Sequence, residues 1–201
     1  MAGEDRRPRR PLYLEPDAME SHSASQPDPA ETAAAAHQAA LTVVTAGRED
    51  ADGATRERLL RLVDELGLDT LAQLWADRPA RSLPGALWRL YVLREWAQRQ
   101  AGEAAREYAR GMSVAHVDHV IAGIAEPPGV AEVRELADRI LRGVFDGDLA
   151  VALERAAAFC RVVATGRAHE DEGDLPSASA MVTTAEDLEA CARLWRSGRL
   201  D

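Results

Sequence analysis

Two histidines three positions apart are the best candidates for metal chemistry in this sequence. The segment AHVDHV contains His116 and His119, whose spacing places them on one face of a helix, with Asp118 between them in sequence. A catalytic zinc or di-iron site needs further ligands, typically a second helical pair such as Glu-x-x-His or a His-Glu-x-x-His motif. Neither motif occurs, and His169 with the carboxylates after it would contribute only by folding back. We therefore predict no metal site and no bound cofactor.

Aromatic and basic side chains are concentrated in residues 82 to 100, SLPGALWRLYVLREWAQRQ. At 100° per residue the leucines form one apolar face of a helix, and Trp88, Val92 and Trp96 form a second face. Apolar residues on two faces indicate a central bundle helix that is buried by neighbours on both sides. The alternative is a ligand or partner groove, whose candidate residues are Trp75, Trp88, Arg89, Tyr91, Arg94 and Trp96.

Residue types that are missing exclude several classes of enzyme. All 24 basic residues are arginine, and neither lysine nor asparagine occurs, which is typical of chains encoded by GC-rich bacterial genomes. Without lysine there is no Schiff-base lysine, no phosphate-loop lysine and no Ser-Lys pair, and without asparagine there is no Cys-His-Asn triad. Gly-rich phosphate loops and G-x-S-x-G elbows are also absent from the sequence. We predict no catalytic residue, while leaving open whether the protein is an enzyme.

A formal net charge of −10 argues against binding along a nucleic acid backbone, because phosphate neutralisation requires a basic surface. A helix-turn-helix with Arg78 and Arg81 in its turn is also disfavoured. Its second helix would begin with the apolar segment LPGALW, whereas a recognition helix begins with polar side chains that read the bases. No segment approaches the ~20 consecutive apolar residues of a membrane span, and no signal peptide is apparent. We expect a cytoplasmic protein in which Cys160 and Cys191 are reduced and structural.

The apolar pattern predicts an all-α, single-domain, irregular bundle of about seven or eight helices, because no run of residues alternates as a half-buried strand does. Residues 1 to 29 are rich in proline and scattered charge, so we predict a disordered tail. Within it Leu12, Tyr13 and Leu14 form an apolar island that is either unstructured or docks on the domain or on a partner. Residues 30 to 201 are predicted to form the helical domain.

Glycines and capping residues set the predicted helix ends in the first half of the domain. An alanine-rich helix begins near Pro29 and stops at Gly47. Asp69 caps a short helix, and Ser82 caps the long central one, which bends near Gly102 before Gly111 ends it. Between these helices lies the clearest amphipathic pattern, in which one helix over residues 54 to 66 has apolar positions at i, i+3, i+4 and i+7: Leu59, Leu62, Val63 and Leu66.

The second half of the domain shows three further helical patterns. The helix over residues 130 to 145 is predicted to bury Val133, Leu136, Ile140 and Val144, and Asp148 caps the helix after it. Residues 169 to 180 are predicted to be an acidic loop. Thr183 and Glu186 then have capping-box spacing, which predicts that the last helix begins there and that its Trp195 docks on the body of the domain.

The absence of a recognisable catalytic motif favours a protein–protein interaction or regulatory module without catalytic chemistry. The alternative is a helical small-molecule-binding protein or enzyme with a pocket lined by Trp75, Trp88, Tyr91 and Trp96. Small residues let helices approach closely, so Ala36 and Ala40 of the alanine-rich helix are predicted to pack inside the bundle. The alternative is that they form a dimer face through which the protein self-associates.

Overall fold

The computed structural model describes residues 28–113, 129–169 and 174–201, and every regular element in these ranges is a helix. The prediction of an all-α fold is confirmed. None of the described helices is long and apolar enough to cross a membrane. In chain order the helices are α1 (Pro29–Glu49), α2 (Ala54–Leu60), α3 (Leu62–Leu66), α4 (Leu68–Trp75), α5 (Leu83–Arg99), α6 (Ala101–Met112), α7 (Val130–Asp146), α8 (Leu149–Ala168) and α9 (Leu175–Arg196).

The chain divides into two compact units, Met1–Ala34 and Ala35–Asp201. Of the first unit, the structure describes the start of α1, where the Asp28 Oδ1 atom accepts a hydrogen bond of 2.8 Å from the Ala30 N–H. The other residues of the predicted tail, including its Leu12-Tyr13-Leu14 island, lie outside the described residues. The second unit contains the core and the candidate site.

Helix α8 is the centre of the second unit, since it packs against α9, α6, α7 and α5. Asp148 caps it as predicted, with a hydrogen bond of 2.8 Å from the Ala150 N–H to Oδ1. Both cysteines are free and buried. The predicted apolar face of α7 is confirmed, because Val133, Leu136, Ile140 and Val144 are all buried. The core is therefore a layer of helices wrapped around α8.

Helices α6 and α8 cross so closely that a side chain would not fit between their backbones. A Cβ atom added to Gly111 would lie 1.9 Å from the Val162 carbonyl oxygen, and one added to Gly166 would lie 1.7 Å from the Glu107 carbonyl oxygen. Helix α6 ends at Met112, one residue beyond the predicted end at Gly111. Besides lying near the helix end, this glycine permits the close approach of α8.

Gly47 has a similar role in α1. The predicted stop at this residue is wrong, because α1 runs on to Glu49. A Cβ atom at Gly47 would lie 2.4 Å from Cδ1 of Phe145, so the glycine makes room for a core aromatic ring. Ala36 and Ala40, on the same helix, are buried within the chain.

The predicted helix over residues 54 to 66 is broken in the structure. Arg61, with φ −95° and ψ 17°, separates α2 from α3. The break rotates the apolar positions, so that Leu60 and Val63 are buried whereas Leu66 is 50% exposed. The sequence pattern assumed one continuous helix with 3.6 residues per turn, and it therefore wrongly placed Leu66 on the apolar face of that helix.

The end of the predicted acidic loop is helical. Helix α9 begins at Leu175, eight positions before the predicted start at Thr183. Asp174 caps it, with Oδ1 accepting a hydrogen bond of 3.0 Å from the Ser177 N–H. Thr183 is a mid-helix residue whose hydroxyl donates to the Ser179 carbonyl oxygen. The N-cap of α9 is thus Asp174, and the later segment with capping-box spacing, which begins at Thr183, lies inside the helix and is not a cap.

Two smaller predictions of helix ends also need correction, and one is confirmed. Helix α4 begins at Leu68 after Gly67, so Asp69 lies in its first turn and makes no side-chain cap. The break in the long helix lies at Gln100, two residues before the predicted bend. Ser82 does cap α5, because its Oγ accepts a hydrogen bond of 3.2 Å from the Gly85 N–H.

The glycine crossing generates a prediction about stability. Gly111→Ala and Gly166→Ala should each lower the free energy of unfolding by about 1–3 kcal/mol, because each new methyl group forces two backbones apart. Urea denaturation followed by circular dichroism measures the loss. Gly102→Ala in the same α6 helix is the matched control, since its Cβ would meet no atom closer than 3.8 Å. Equal effects at all three positions would contradict the close crossing.

Buried tyrosines generate a prediction about pH. Burial raises the pKa of Tyr108 to about 12 and raises that of Tyr91 further above its usual value. The unfolded chain releases these protons near pH 10, so stability is intact below that value and falls by about 1.4 kcal/mol per pH unit per tyrosine as pH rises toward the folded pKa values. Tyrosinate absorbance from both residues should therefore appear together with loss of helicity.

A variant checks the assignment of the alkaline transition. The Tyr108 hydroxyl has no hydrogen-bond partner within the described residues, so Tyr108→Phe should cost little at neutral pH and should raise the pH of unfolding. An unchanged alkaline midpoint in this variant would show that Tyr108 does not control the transition.

Candidate functional site

A groove of about 410 Å³ runs between α5 and α9, and we call it the α5/α9 groove. Trp88, Val92 and Trp96 line one side because their spacing of four residues places them on one face of α5. The opposite side is built by small or flexible side chains of α9. The complete lining is Ala76, Trp88, Arg89, Val92, Leu93, Trp96, Arg167, Ser177, Ala180, Met181 and Thr184.

One end of the groove is organised by the guanidinium group of Arg167. Its Nε and Nη2 atoms donate hydrogen bonds of 2.7 and 2.8 Å to the two carboxylate oxygens of Glu107. Its Nη1 donates to Ser177 Oγ at 2.6 Å, and the guanidinium lies 5.4 Å from the ring centre of Trp96. The Glu107 side chain is 2% exposed, so this is a buried, bidentate ion pair. The hydrogen bond to Glu107 raises the pKa of Arg167, which holds the cation in its charged form.

A polar cavity of about 330 Å³ adjoins this end of the groove and shares Trp96, Arg167 and Ser177 with it. Gln100 and the carboxylates of Glu103, Glu107 and Asp174 complete its lining. Three carboxylates against one guanidinium leave this cavity with an excess of negative charge. The groove is thus apolar along its length and acidic where it meets the cavity.

The other end of the groove carries Arg89, which is fixed by contacts outside the groove. Its Nη1 donates to the Gly85 carbonyl oxygen at 3.0 Å, and its Nη2 lies 3.9 Å from Asp187 Oδ2. The second oxygen of Asp187 accepts a hydrogen bond of 2.9 Å from Arg81 Nε. Two guanidinium groups therefore share the Asp187 carboxylate, and Glu186 also interacts with Arg81, so the charges at this end are balanced.

The structure brings together three of the six residues predicted to line a ligand or partner groove. Trp88, Arg89 and Trp96 line the α5/α9 groove, and both tryptophans are half-buried. The second apolar face of α5 is therefore only partly covered by its neighbours, whereas a central bundle helix would have both apolar faces buried.

The other three predicted residues lie elsewhere. Trp75 and Tyr91 are buried in the core with their ring centres 6.2 Å apart. Both have internal partners, because the Trp75 indole N–H donates to the Ala36 carbonyl oxygen and the Tyr91 hydroxyl to that of Leu59. Arg94 is buried and donates to Asp138 Oδ1 at 2.6 Å. Rotation by 100° per residue directs Tyr91 and Arg94 away from the groove face of α5, and Trp75 belongs to a different helix, α4.

Several lining residues were missed from the sequence because the start of α9 was predicted as a loop. Ser177, Ala180 and Met181 belong to its first two turns. The signal that identifies this helix is the segment DLPS, which places an acidic N-cap before proline in the first turn. No sequence signal links Glu107 to Arg167, since their contact depends on the crossing of α6 and α8.

Metal and thiol chemistry find no support in the part of the chain that the structure describes. Within it no three His, Cys, Asp or Glu side chains form a group that could hold a metal ion. His116 and His119 lie outside the described residues, and His169 is exposed with Nδ1 2.7 Å from the Thr165 carbonyl oxygen. Burial raises the pKa of Cys160 to about 12 and that of Cys191 to about 11, so both thiols are protonated at neutral pH.

The buried ion pair generates a prediction about the polar end of the groove. Arg167→Met should lower the free energy of unfolding by about 3–5 kcal/mol at neutral pH, because it leaves the Glu107 carboxylate buried without a counter-ion. Adding Glu107→Gln should recover part of that loss. Urea denaturation of the single and double variants measures both effects.

An exposed ion pair is the control for this prediction. Arg196 donates to Glu154 at 2.8 Å, and their side chains are 46% and 38% exposed. Arg196→Met should therefore cost less than about 1 kcal/mol. If Arg167→Met were as mild as Arg196→Met, the ion pair with Glu107 would not be buried as described.

Comparison with protein family models, with curated proteins and with solved structures found no match to this chain.

Proposed function

We propose that the protein is a non-catalytic binding protein whose α5/α9 groove holds a small, largely apolar molecule. The observation that carries the proposal is the pair of half-buried indoles, Trp88 and Trp96, which line a concave surface that ends at the buried Arg167–Glu107 ion pair. Small-molecule sites are typically concave, mostly apolar and oriented by a few polar groups. This favours the alternative of a helical binding protein over the interaction module that the sequence alone suggested.

The dimensions of the groove favour a small molecule over a partner helix. Trp88 and Trp96 are eight residues apart on α5, which corresponds to about 12 Å along the helix axis. One turn of an α-helix, roughly 10 Å wide and 5.4 Å high, occupies roughly 400 Å³, close to the whole volume of the groove. A helical partner normally presents anchors from i to i+7, which takes two turns.

The polar end of the groove is held in place before any ligand arrives. The Trp96 ring packs against Phe159 with ring centres 6.4 Å apart, and Arg167 lies over the same indole. Arg167 is fixed in turn by Glu107 and Ser177. A ligand that contacts Trp96 therefore meets side chains that are already ordered. Binding carries no free-energy cost for ordering them, which favours affinity.

The proposal is tested with the neutral fluorescent probe N-phenyl-1-naphthylamine. The parent protein should bind it with enhanced, blue-shifted emission. Ala180→Trp should weaken binding by at least about tenfold, equivalent to about 1.4 kcal/mol, because Ala180 is exposed on α9 and an indole there fills the groove.

Ser179→Trp is the matched control. It adds the same side chain at the neighbouring exposed position of α9, which does not line the groove. The control should bind the probe as the parent does. Equal binding by the Ala180→Trp variant, or no binding by the parent, would contradict the proposed function.

A further inference from the structure

We infer that the ligand of the α5/α9 groove carries a cationic group, which lies at the acidic end near Glu103 and Asp174 while its apolar part lies along Trp96 and Trp88. The inference rests on the proposed function and adds a charge and an orientation to the molecule that the groove would hold. The expected ligand is an amine whose apolar part is about the size of an aromatic ring system.

The charges at the acidic end are not balanced. Arg167 neutralises Glu107 through two hydrogen bonds. The carboxylates of Glu103 and Asp174 line the same cavity, and neither has an ion-pair partner among the described residues. Both are exposed, and the one cation that interacts with them, Arg167, is already paired with Glu107, so the three carboxylates present a net negative charge to a ligand that extends past Trp96.

Arg167 does not make this end a site for an anion. Of its five N–H groups, three are used by Glu107 and Ser177, and its charge is already offset by a carboxylate at 2.7 and 2.8 Å. An anionic ligand would reach the remaining N–H groups only by approaching Glu103 and Asp174. A cation meets attraction from the same two carboxylates.

The opposite end of the groove sets the orientation. Arg89 lies beside Trp88, and the positive charges of Arg89 and Arg81 are matched there by Asp187 and Glu186, so this end has no excess negative charge to attract a cation. An elongated amine therefore lowers its energy by placing its charge near Asp174 and its apolar body over the tryptophans. The asymmetry therefore comes from the carboxylates of Glu103, on α6, and of Asp174, directly before α9.

A pair of probes with the same ring and opposite charges tests the inference. 2-(1-Naphthyl)ethylammonium and 1-naphthylacetate are each used to displace N-phenyl-1-naphthylamine at neutral pH and low salt. The ammonium probe should bind more tightly by on the order of tenfold, and high salt should reduce the difference because the carboxylates are exposed.

Charge-removing variants locate the origin of the preference. Glu103→Gln with Asp174→Asn should abolish the difference between the probes, and asparagine keeps the N-cap of α9. Glu49→Gln with Asp52→Asn removes the same charge from exposed positions outside the groove and should preserve the difference. Thermal denaturation of each variant checks that the fold is retained.

The outcomes separate this inference from the proposed function. Tighter ammonium binding that is lost only in the Glu103 and Asp174 variant supports the inference. Equal or tighter binding of 1-naphthylacetate by the parent, or a preference that survives removal of both carboxylates, overturns the inference and leaves the proposed function standing. Absence of binding by the neutral probe overturns the proposed function itself, and the inference with it.

Discussion

The rest of the site depends on the backbone contact between α6 and α8. Because Gly111 and Gly166 carry no side chains, the two helices approach until a Cβ atom on either one would overlap a carbonyl oxygen. At that separation Glu107 of α6 and Arg167 of α8 form a bidentate ion pair. The same guanidinium then reaches Ser177 of α9 and lies over Trp96 of α5. One cation thus connects four helices around the acidic end of the groove.

A buried ion pair is a costly way to hold four helices together. Removing two charges from water costs several kcal/mol, which their attraction offsets only when the geometry is good and the remaining donors are satisfied. Here the geometry is enforced by the glycine crossing, and Ser177 takes a further N–H. What the arrangement provides is position, because α9 cannot shift along α8 without breaking the contact with Arg167. The hydrogen-bond network of Arg167, which is part of the folded core, therefore fixes the two walls of the groove relative to each other.

The sequence predicts features that are local to one helix, such as its buried face and its N-cap. It does not predict contacts that depend on how two helices pack together. The buried face of α7 and the caps at Ser82 and Asp148 follow from periodicity and local hydrogen bonding, and the structure confirms them. Gly111 and Gly47 were predicted as helix ends because glycine is common just past the last residue of a helix, whereas here each admits a neighbour that the sequence does not identify. For the candidate site, the sequence pattern identified Trp88, Arg89 and Trp96. It did not identify Glu107 or Arg167, because these two residues are brought together only by the crossing of α6 and α8.

Whether the second apolar face of α5 becomes core or groove is decided by the helix opposite to it. Trp88, Val92 and Trp96 have the spacing of a buried stripe, and a neighbour with large apolar side chains would have covered them. Helix α9 instead presents three small side chains and the flexible Met181, which together leave space in front of the indoles: Ser177, Ala180, Met181 and Thr184. Trp75 and Tyr91 pack against each other and are buried in the core, with their polar atoms bonded to backbone carbonyl oxygens. Aromatic content alone therefore does not identify a binding surface in this chain, because the packing around each ring determines which rings remain available to a ligand.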